Sequence, residues 1–421
     1  MARILLTTFG SYGDLYPYLA IGIELQKLGH RATIATSAAY REKVESERLG
    51  FAPVRPDIVL DDAEMMRQLF DQRRGTERVM RGVSDVIRES YEDTLDAARN
   101  ADAMVTHPLS MAAVMAAQKL GFPWISSVLA PISFLSAHDP PIPAPAPWLA
   151  NLRVFGPGFM RSVWKIGRLE SLRWVRPVLD LRRELGLPTG PHPMFEGSHA
   201  PDLVLALFPR IFAEPQPDWP SRTLLAGFPF YDGGEAELPA ELETFFQAGP
   251  PPVVFTLGSS AVGAAGSFYC DSLEAVKRSR VRAVFLTGPH HQGLHESVPS
   301  EVLVWPFAPH ALVFARASAI VHQGGVGTTA QALRAGRPML VVPFAHDQFD
   351  NAERVRRLGA GIAIPRPKYT AQRASEALER LLGNASFLLA AGVVSAAIQA
   401  DNGAATAARA IDEYTYRLTA R

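Results

Sequence analysis

One cysteine, Cys270, is all this sequence contains, so no internal disulfide can form and a reducing compartment is permitted. An excess of charge of either sign is also missing. Forty-two basic and 42 acidic residues leave a net charge of +0, which removes the electrostatic basis for a nucleic-acid partner. No unbroken apolar run of about 18 residues is evident, so no membrane-spanning helix is expected. The N-terminus runs straight into an apolar segment, 4–7, without a charged leader, so no signal peptide is expected and a cytoplasmic location follows. The first glycine-bearing loop, 10–17, has no G-x-G-x-x-G pattern and is not read as a dinucleotide loop. No repeat is visible at residue level.

What is present suits a soluble globular α/β protein. The chain has 421 residues, 48% apolar and 20% charged. That is too long for one core, and two domains of about 150–250 residues are expected. Residues 3–37 read as strand, loop, helix (18–28) and strand. A helical pattern over 61–99 precedes a strand at 103–106, a helix at 110–120 and a strand at 123–129. Further strands are expected at 202–207 and 223–226. Gly, Pro and acidic residues then cluster and mark a linker. The boundaries expected are 1–228, a linker at 229–252, a second domain at 253–395, and a terminal helix at 396–421 packing back on the first domain. The second half repeats the rhythm, with strands at 253–257, 283–286, 302–304, 317–321 and 339–343.

The stretch 322–351 carries the chemistry. After the strand at 317–321 come His322, the glycines Gly324, Gly325 and Gly327, Thr328, and a helix-forming run at 330–335. Glycines let the backbone approach a ligand, and the free N–H groups of a helix start attract an anion. A diphosphate is the natural guest, with His322 able to add a side-chain donor. Asp14, the only charged side chain of the 10–17 loop, lies at a strand's carboxyl end, where doubly wound sheets hold ligands. A helix-cap or turn role and a chemical role are both open for it. His107 also follows a strand, where a lone histidine is more often structural.

Two further features admit competing readings. Residues 151–183 hold eight basic and two acidic side chains interleaved with apolar ones. They make either a basic amphipathic surface for a membrane or greasy substrate, or ordinary helices with solvated arginines. His290, His291 and His295 could chelate a metal, but with only Glu296 nearby a surface loop is the preferred reading and no metal is expected.

These motifs resemble the GT-B nucleotide-sugar glycosyltransferases of the family that includes plant and bacterial small-molecule glucosyltransferases. H-x-G-G-x-G-T-T, then G-x-P and D-Q, runs from His322 to Gln348, and G-S-x-G-D-x-x-P runs from Gly10 to Pro17. Segments 135–138, 218–220, 227–229 and 345–354 look most like the catalytic subunit of the rhamnolipid rhamnosyltransferases. The resemblance implies two Rossmann-like doubly wound domains facing across a cleft. It implies Phe307 stacking on the base, the Ala308 backbone reading its edge, and His310 near base and ribose. It assigns Ser259, His322, Gly324, Gly325, Gly327 and Thr328 to the phosphates, and Asp347 and Gln348 to the sugar hydroxyls. Ser11, Tyr12, His107 and Phe134 are expected near the acceptor. Two positions depart from the family pattern. Ala330 stands where uridine-using relatives have a glutamate gripping the ribose, which favours a deoxyribose nucleotide. Asp14 stands where plant relatives have a catalytic histidine, which makes an aspartate the base. A free carboxylate is a weak base, so its efficacy depends on burial in the cleft.

The expectation is thus an inverting, metal-independent transfer of L-rhamnose from dTDP-L-rhamnose to a hydroxyl of an apolar small molecule or lipid. Asp14 would be the base, His322 would assist the leaving diphosphate, and no resident cofactor is expected. Glucose transfer from UDP- or dTDP-glucose to a polyphenol, macrolide or terpenoid is the alternative within enzymes, and a non-catalytic binding protein the alternative outside them. Peripheral contact with the inner membrane face is a further possibility, and oligomeric state is not legible.

Overall fold

The computed structural model describes residues 1–57, 62–233, 237–289, 294 and 298–419. His290, His291, His295 and Glu296, the residues of the metal reading, lie outside the described residues.

The first half runs β1 (Arg3–Thr7), α1 (Tyr12–Lys27), β2 (Arg31–Thr36), α2 (Arg41–Ser46), β3 (Gly50–Pro53), α3 (Ala63–Leu69), α4 (Gly75–Asp85), α5 (Ile87–Ala98), β4 (Ala103–Thr106), α6 (Met111–Leu120), β5 (Trp124–Val128), α7 (Gly156–Ser171), α8 (Arg176–Glu184), β6 (Val204–Ala206) and β7 (Thr223–Leu225). Its seven strands are ordered β3-β2-β1-β4-β5-β6-β7, all neighbours parallel. The second half runs α9 (Ala240–Gln247), β8 (Val253–Thr256), α10 (Phe268–Ser279), β9 (Ala283–Leu286), β10 (Val302–Trp305), α11 (His310–Phe314), β11 (Ala319–His322), α12 (Val326–Arg334), β12 (Met339–Val341), α13 (Gln348–Arg357), β13 (Gly361–Ala363), α14 (Ala371–Gly383), α15 (Ala385–Gln399) and α16 (Gly403–Thr419). Its six parallel strands are ordered β10-β9-β8-β11-β12-β13. Strands such as β1, β4, β8 and β9 are Val, Ile, Leu, Ala and Phe runs because helices cover both faces of a parallel sheet.

Strand order reverses at β1/β4 in one sheet and at β8/β11 in the other. A crevice opens at the carboxyl ends of the strands at such a point. Asp14 and His107 follow β1 and β4, and the Ser259 loop and the glycine turn follow β8 and β11.

Three elements differ from the sequence reading. The loop at 10–17 is mostly helix: α1 starts at Tyr12 and contains Pro17, because Ser11 and Asp14 form a capping box that starts the helix early. Edge strands β3 and β13 are not among the expected strands, being only four and three residues long. The stretch Ala385–Arg417 is long and apolar enough to cross a membrane by length and composition, against the expectation that none would be. It is broken between α15 and α16, and the halves pack on different sheets. Ala391, Val394 and Ile398 join the core over β8, β11 and β12, while Ala404, Ala407, Ala408 and Ile411 join Ile21 and Leu25 of α1. Burial of Ile411 contributes about 1.5–3 kcal/mol, and the three alanines let α16 pack closely on α1 of the first domain.

Candidate active site

The capping box that starts α1 also fixes Asp14. Ser11 Oγ accepts from Gly13 N–H at 3.2 Å, while Asp14 Oδ2 accepts from Ser11 N–H at 2.7 Å and from Ser11 Oγ–H at 3.1 Å. Gly10 has φ 135, and a Cβ there would lie 2.2 Å from Asp14 Oδ2, so only glycine fits. Asp14 Oδ1 faces His107 Nε2 at 3.5 Å, with side chains 32% and 5% exposed. His107 Nδ1 accepts from Leu109 N–H at 3.1 Å. The neutral ring therefore carries its proton on Nε2, toward Asp14. The cap role and the chemical role open to Asp14 are thus compatible, since one carboxylate oxygen serves each.

Across the cleft, α12 begins at Val326 after Gly324, whose φ is 91. A Cβ on Gly324 would lie 2.7 Å from Val341 and 3.0 Å from the Gln348 carbonyl. Asn351 Nδ2 holds the turn through the Gly324 carbonyl at 2.9 Å and donates to Asp347 Oδ2 at 2.7 Å. Gln348 Oε1 accepts from Phe344 and Ala345 N–H at 2.8 and 3.1 Å. The starts of α1 and α12 converge, and a Cβ on Gly327 would lie 3.5 Å from Gly13 Cα. Two helix N-termini therefore raise a positive potential in the same crevice. Gln323 Oε1, Thr329 Oγ1 and Asn351 Oδ1, all in or under this turn, are buried without a hydrogen-bond partner among the described residues. Such orphaned atoms call for a polar guest or water.

Asp347 is expected at the sugar. Its Oδ2 also accepts from Val326 N–H at 3.2 Å, so it caps α12 and takes one of the amides meant for an anion. Burial pushes its carboxyl up to about 7, with the charge of Asp14 adding to the effect and the Asn351 hydrogen bond opposing it.

His322 is expected to assist the leaving diphosphate. It is 0% exposed, its Nδ1 accepts from Gly324 N–H at 3.1 Å, and its Nε2 lies 3.4 Å from Met339 Sδ. Both ring nitrogens are committed inside the protein, and burial holds the ring below the ordinary histidine range, at about 3. In this arrangement it shapes the glycine turn instead of offering a donor to the cleft. Phe134 is expected near the acceptor. It stacks on Trp219 at 4.4 Å and packs on Phe208 and His199. It lines a cavity of about 530 Å³ whose walls do not include Asp14 or His107.

The remaining predicted residues fall as follows. Phe307 is 63% exposed, and Ala308 beside it is buried. His310 stacks on Phe314 at 4.5 Å, and burial lowers it to about 4. Ser259 is exposed after β8, and Thr328 Oγ1 is near Gln323 Nε2 at 3.4 Å. Ser11 is spent on the cap, and Tyr12 packs on Tyr16 and Tyr40. Ala330 is buried, and the acceptor atom of neighbouring Gln331, Oε1, already accepts from Arg334 Nη2 at 2.7 Å, so Gln331 does not stand in for the missing ribose acceptor.

Two groups are not singled out by the sequence. His346, at φ 56, meets Phe70 and Thr76 of the first half, with ring centroids 5.3 Å apart and Thr76 Oγ1 3.4 Å from Nδ1. Arg354 binds Asp350 at 2.8 Å on its own helix and Asp139 of the first half at 2.9 Å, and Arg357 reaches Asp139 at 2.7 Å. Asp350 Oδ1 accepts from Ile142 N–H at 3.1 Å. The i,i+4 spacing of Asp350 and Arg354 is a readable signal, but the third partner over 200 residues away is not.

Residues 4–132 match the glycosyltransferase family 28 N-terminal domain, and residues 279–413 match the erythromycin biosynthesis protein CIII-like C-terminal domain. A sterol 3-beta-glucosyltransferase of Leptosphaeria maculans is 28% identical over 97% of the chain, which spans only 28% of that relative's length. The O-mycaminosyltylonolide 6-deoxyallosyltransferase of Streptomyces fradiae is 28% identical over 99% of this chain and 98% of its own. Among solved structures, the calicheamicin glycosyltransferase CalG4 superposes with TM-score 0.73 at 19% identity, covering 99% of both chains. Glycosyltransferase VinC, solved in complex with dTDP, superposes with TM-score 0.71 at 22% identity, covering 99% of this chain and 100% of its own. With its reversal points, its facing helix starts and these two matched domains, the chain has the GT-B fold and carries a glycosyltransferase family 28 N-terminal domain and an erythromycin biosynthesis protein CIII-like C-terminal domain.

Proposed function

We propose that this protein transfers a hexose, with inversion, from a nucleotide diphosphate-sugar to a hydroxyl of a lipophilic acceptor. The observation that carries the proposal is the convergence of Asp14 and the α12 N-terminus across one cleft. The acceptor oxygen attacks the anomeric carbon on the face opposite the diphosphate. Its proton passes to Asp14 Oδ1, the anomeric C–O bond breaks, and the electron pair leaves on the diphosphate. His107 holds the Asp14 carboxylate from behind, and the α12 amides and helix dipole stabilise the departing charge. The lipophilic acceptor is supported by the sterol and macrolide relatives.

For the donor we infer dTDP-L-rhamnose. Ala330 offers no carboxylate to a ribose 2′-hydroxyl, and Gln331 Oε1 already accepts from Arg334. A second reading, glucose transfer, is favoured by the sterol 3-beta-glucosyltransferase relatives. Initial rates with dTDP-rhamnose, dTDP-glucose and UDP-glucose, on a sterol and on a macrolide aglycone, separate the two. Preference for UDP-glucose would overturn the deoxyribose inference.

A further inference from the structure

We propose that α7 and the 3₁₀ segment before it, Pro147–Phe155, form a docking surface for an anionic lipid bilayer. The helix has two apolar faces. Met160 and Trp164 point inward and are buried beside Ala137. Phe159, Ile166 and Leu169 sit seven and three residues apart, so they share the opposite face of a helix with 3.6 residues per turn. That face is open, with Ile166 64% and Leu169 62% exposed. The preceding segment extends it with Trp148, Val154 and Phe155, and the Phe155 and Phe159 rings touch at 5.1 Å. A single exposed apolar side chain means little, but a continuous aromatic and aliphatic patch marks a contact surface.

Charge selects the partner. Arg161 and Lys165, four residues apart, flank one side of the stripe, and both are exposed. Arg153, Arg168 and Arg173 are matched by Glu353, Glu196 and Glu170. Among the described residues, Arg161 reaches only His138 Nε2, at 3.0 Å, and Lys165 has no carboxylate within ion-pair distance. An apolar stripe with aromatics at one end and long cationic side chains on its flank is the pattern of a helix lying in a bilayer interface, where the cations reach lipid phosphates. By contrast, the exposed Leu388, Leu389 and Val393 on α15 have no charged residue in their helix, so nothing there selects a partner.

Flotation of the full chain tests this with phosphatidylcholine vesicles and with phosphatidylcholine–phosphatidylglycerol vesicles. The wild type is expected to float with the anionic vesicles, and less so at high salt. The combined variant Phe155→Ser, Ile166→Ser, Leu169→Ser should lose ~10-fold or more of the bound fraction, and Arg161→Glu, Lys165→Glu should lose binding to anionic vesicles. Absence of wild-type flotation, or equal flotation by the variants, would overturn the proposal. So would a concentration-dependent wild-type dimer that the apolar variant abolishes while neither floats, since the patch would then face a second copy. The assay uses neither donor nor acceptor, so its failure and the failure of the transfer reaction are separately visible.

Discussion

Asp14 Oδ1 and His107 Nε2 lie 3.5 Å apart at the ends of two strands that are neighbours in the sheet but about ninety residues apart in sequence. Leu109 N–H fixes the His107 tautomer, so the imidazole presents its proton to the carboxylate. On the proposed mechanism His107 is a positioning residue for Asp14. His107→Ala should lower kcat about 10-fold or more with little change in the KM for the donor, and His107→Gln, which can place an N–H near the same point, should recover part of the loss. Equal rates in both variants and the wild type would make His107 purely structural.

Asp347 gives the site a pH dependence. Its carboxyl is raised to about 7, so it is protonated below that value and ionised above it. An ionised Asp347 occupies Val326 N–H and would repel a diphosphate bound as proposed, so nucleotide binding should be coupled to proton uptake. Calorimetric Kd values for dTDP should weaken as pH rises from about 7 to 9, by at most about tenfold per unit for one coupled proton. Asp347→Asn should flatten that slope. Parallel slopes for the two proteins would remove Asp347 from the linkage.

Arg354 sits between Asp350 and Asp139 with side chains 5%, 1% and 18% exposed. Arg354→Met would leave Asp350 buried without its cation, and a broken buried pair costs about 3–5 kcal/mol. Urea unfolding should report a loss of that order. A change below about 1 kcal/mol would mean that the cluster does not hold the two halves together.

Much of this architecture is legible in residue order alone. The glycine turn before α12 is visible because strand, glycines and helix lie within a dozen residues, and Asp14 is visible as the one charge in its loop. The start of α1 is hidden because Pro17 reads as a helix breaker, while a capping box that begins six residues ahead of it, at Ser11, overrides that signal. The part played by His322 is hidden because its second neighbour, Met339, comes from the adjacent strand. Asp139 meets the Asp350–Arg354 pair of α13 only after the two halves have folded and docked, and no local pattern encodes that third partner.

The central claim is that Asp14 takes the acceptor's proton in a nucleotide-sugar transfer. Asp14→Asn tests it most directly, because an asparagine oxygen can still accept from Ser11 N–H and keep the cap. Transfer rate and nucleotide affinity should be measured together on the wild type and this variant. Dissociation constants for dTDP that agree within about twofold, with kcat lower by about 100-fold or more, are the predicted result. Transfer by Asp14→Asn at the wild-type rate would contradict it and leave Asp14 as a helix cap alone.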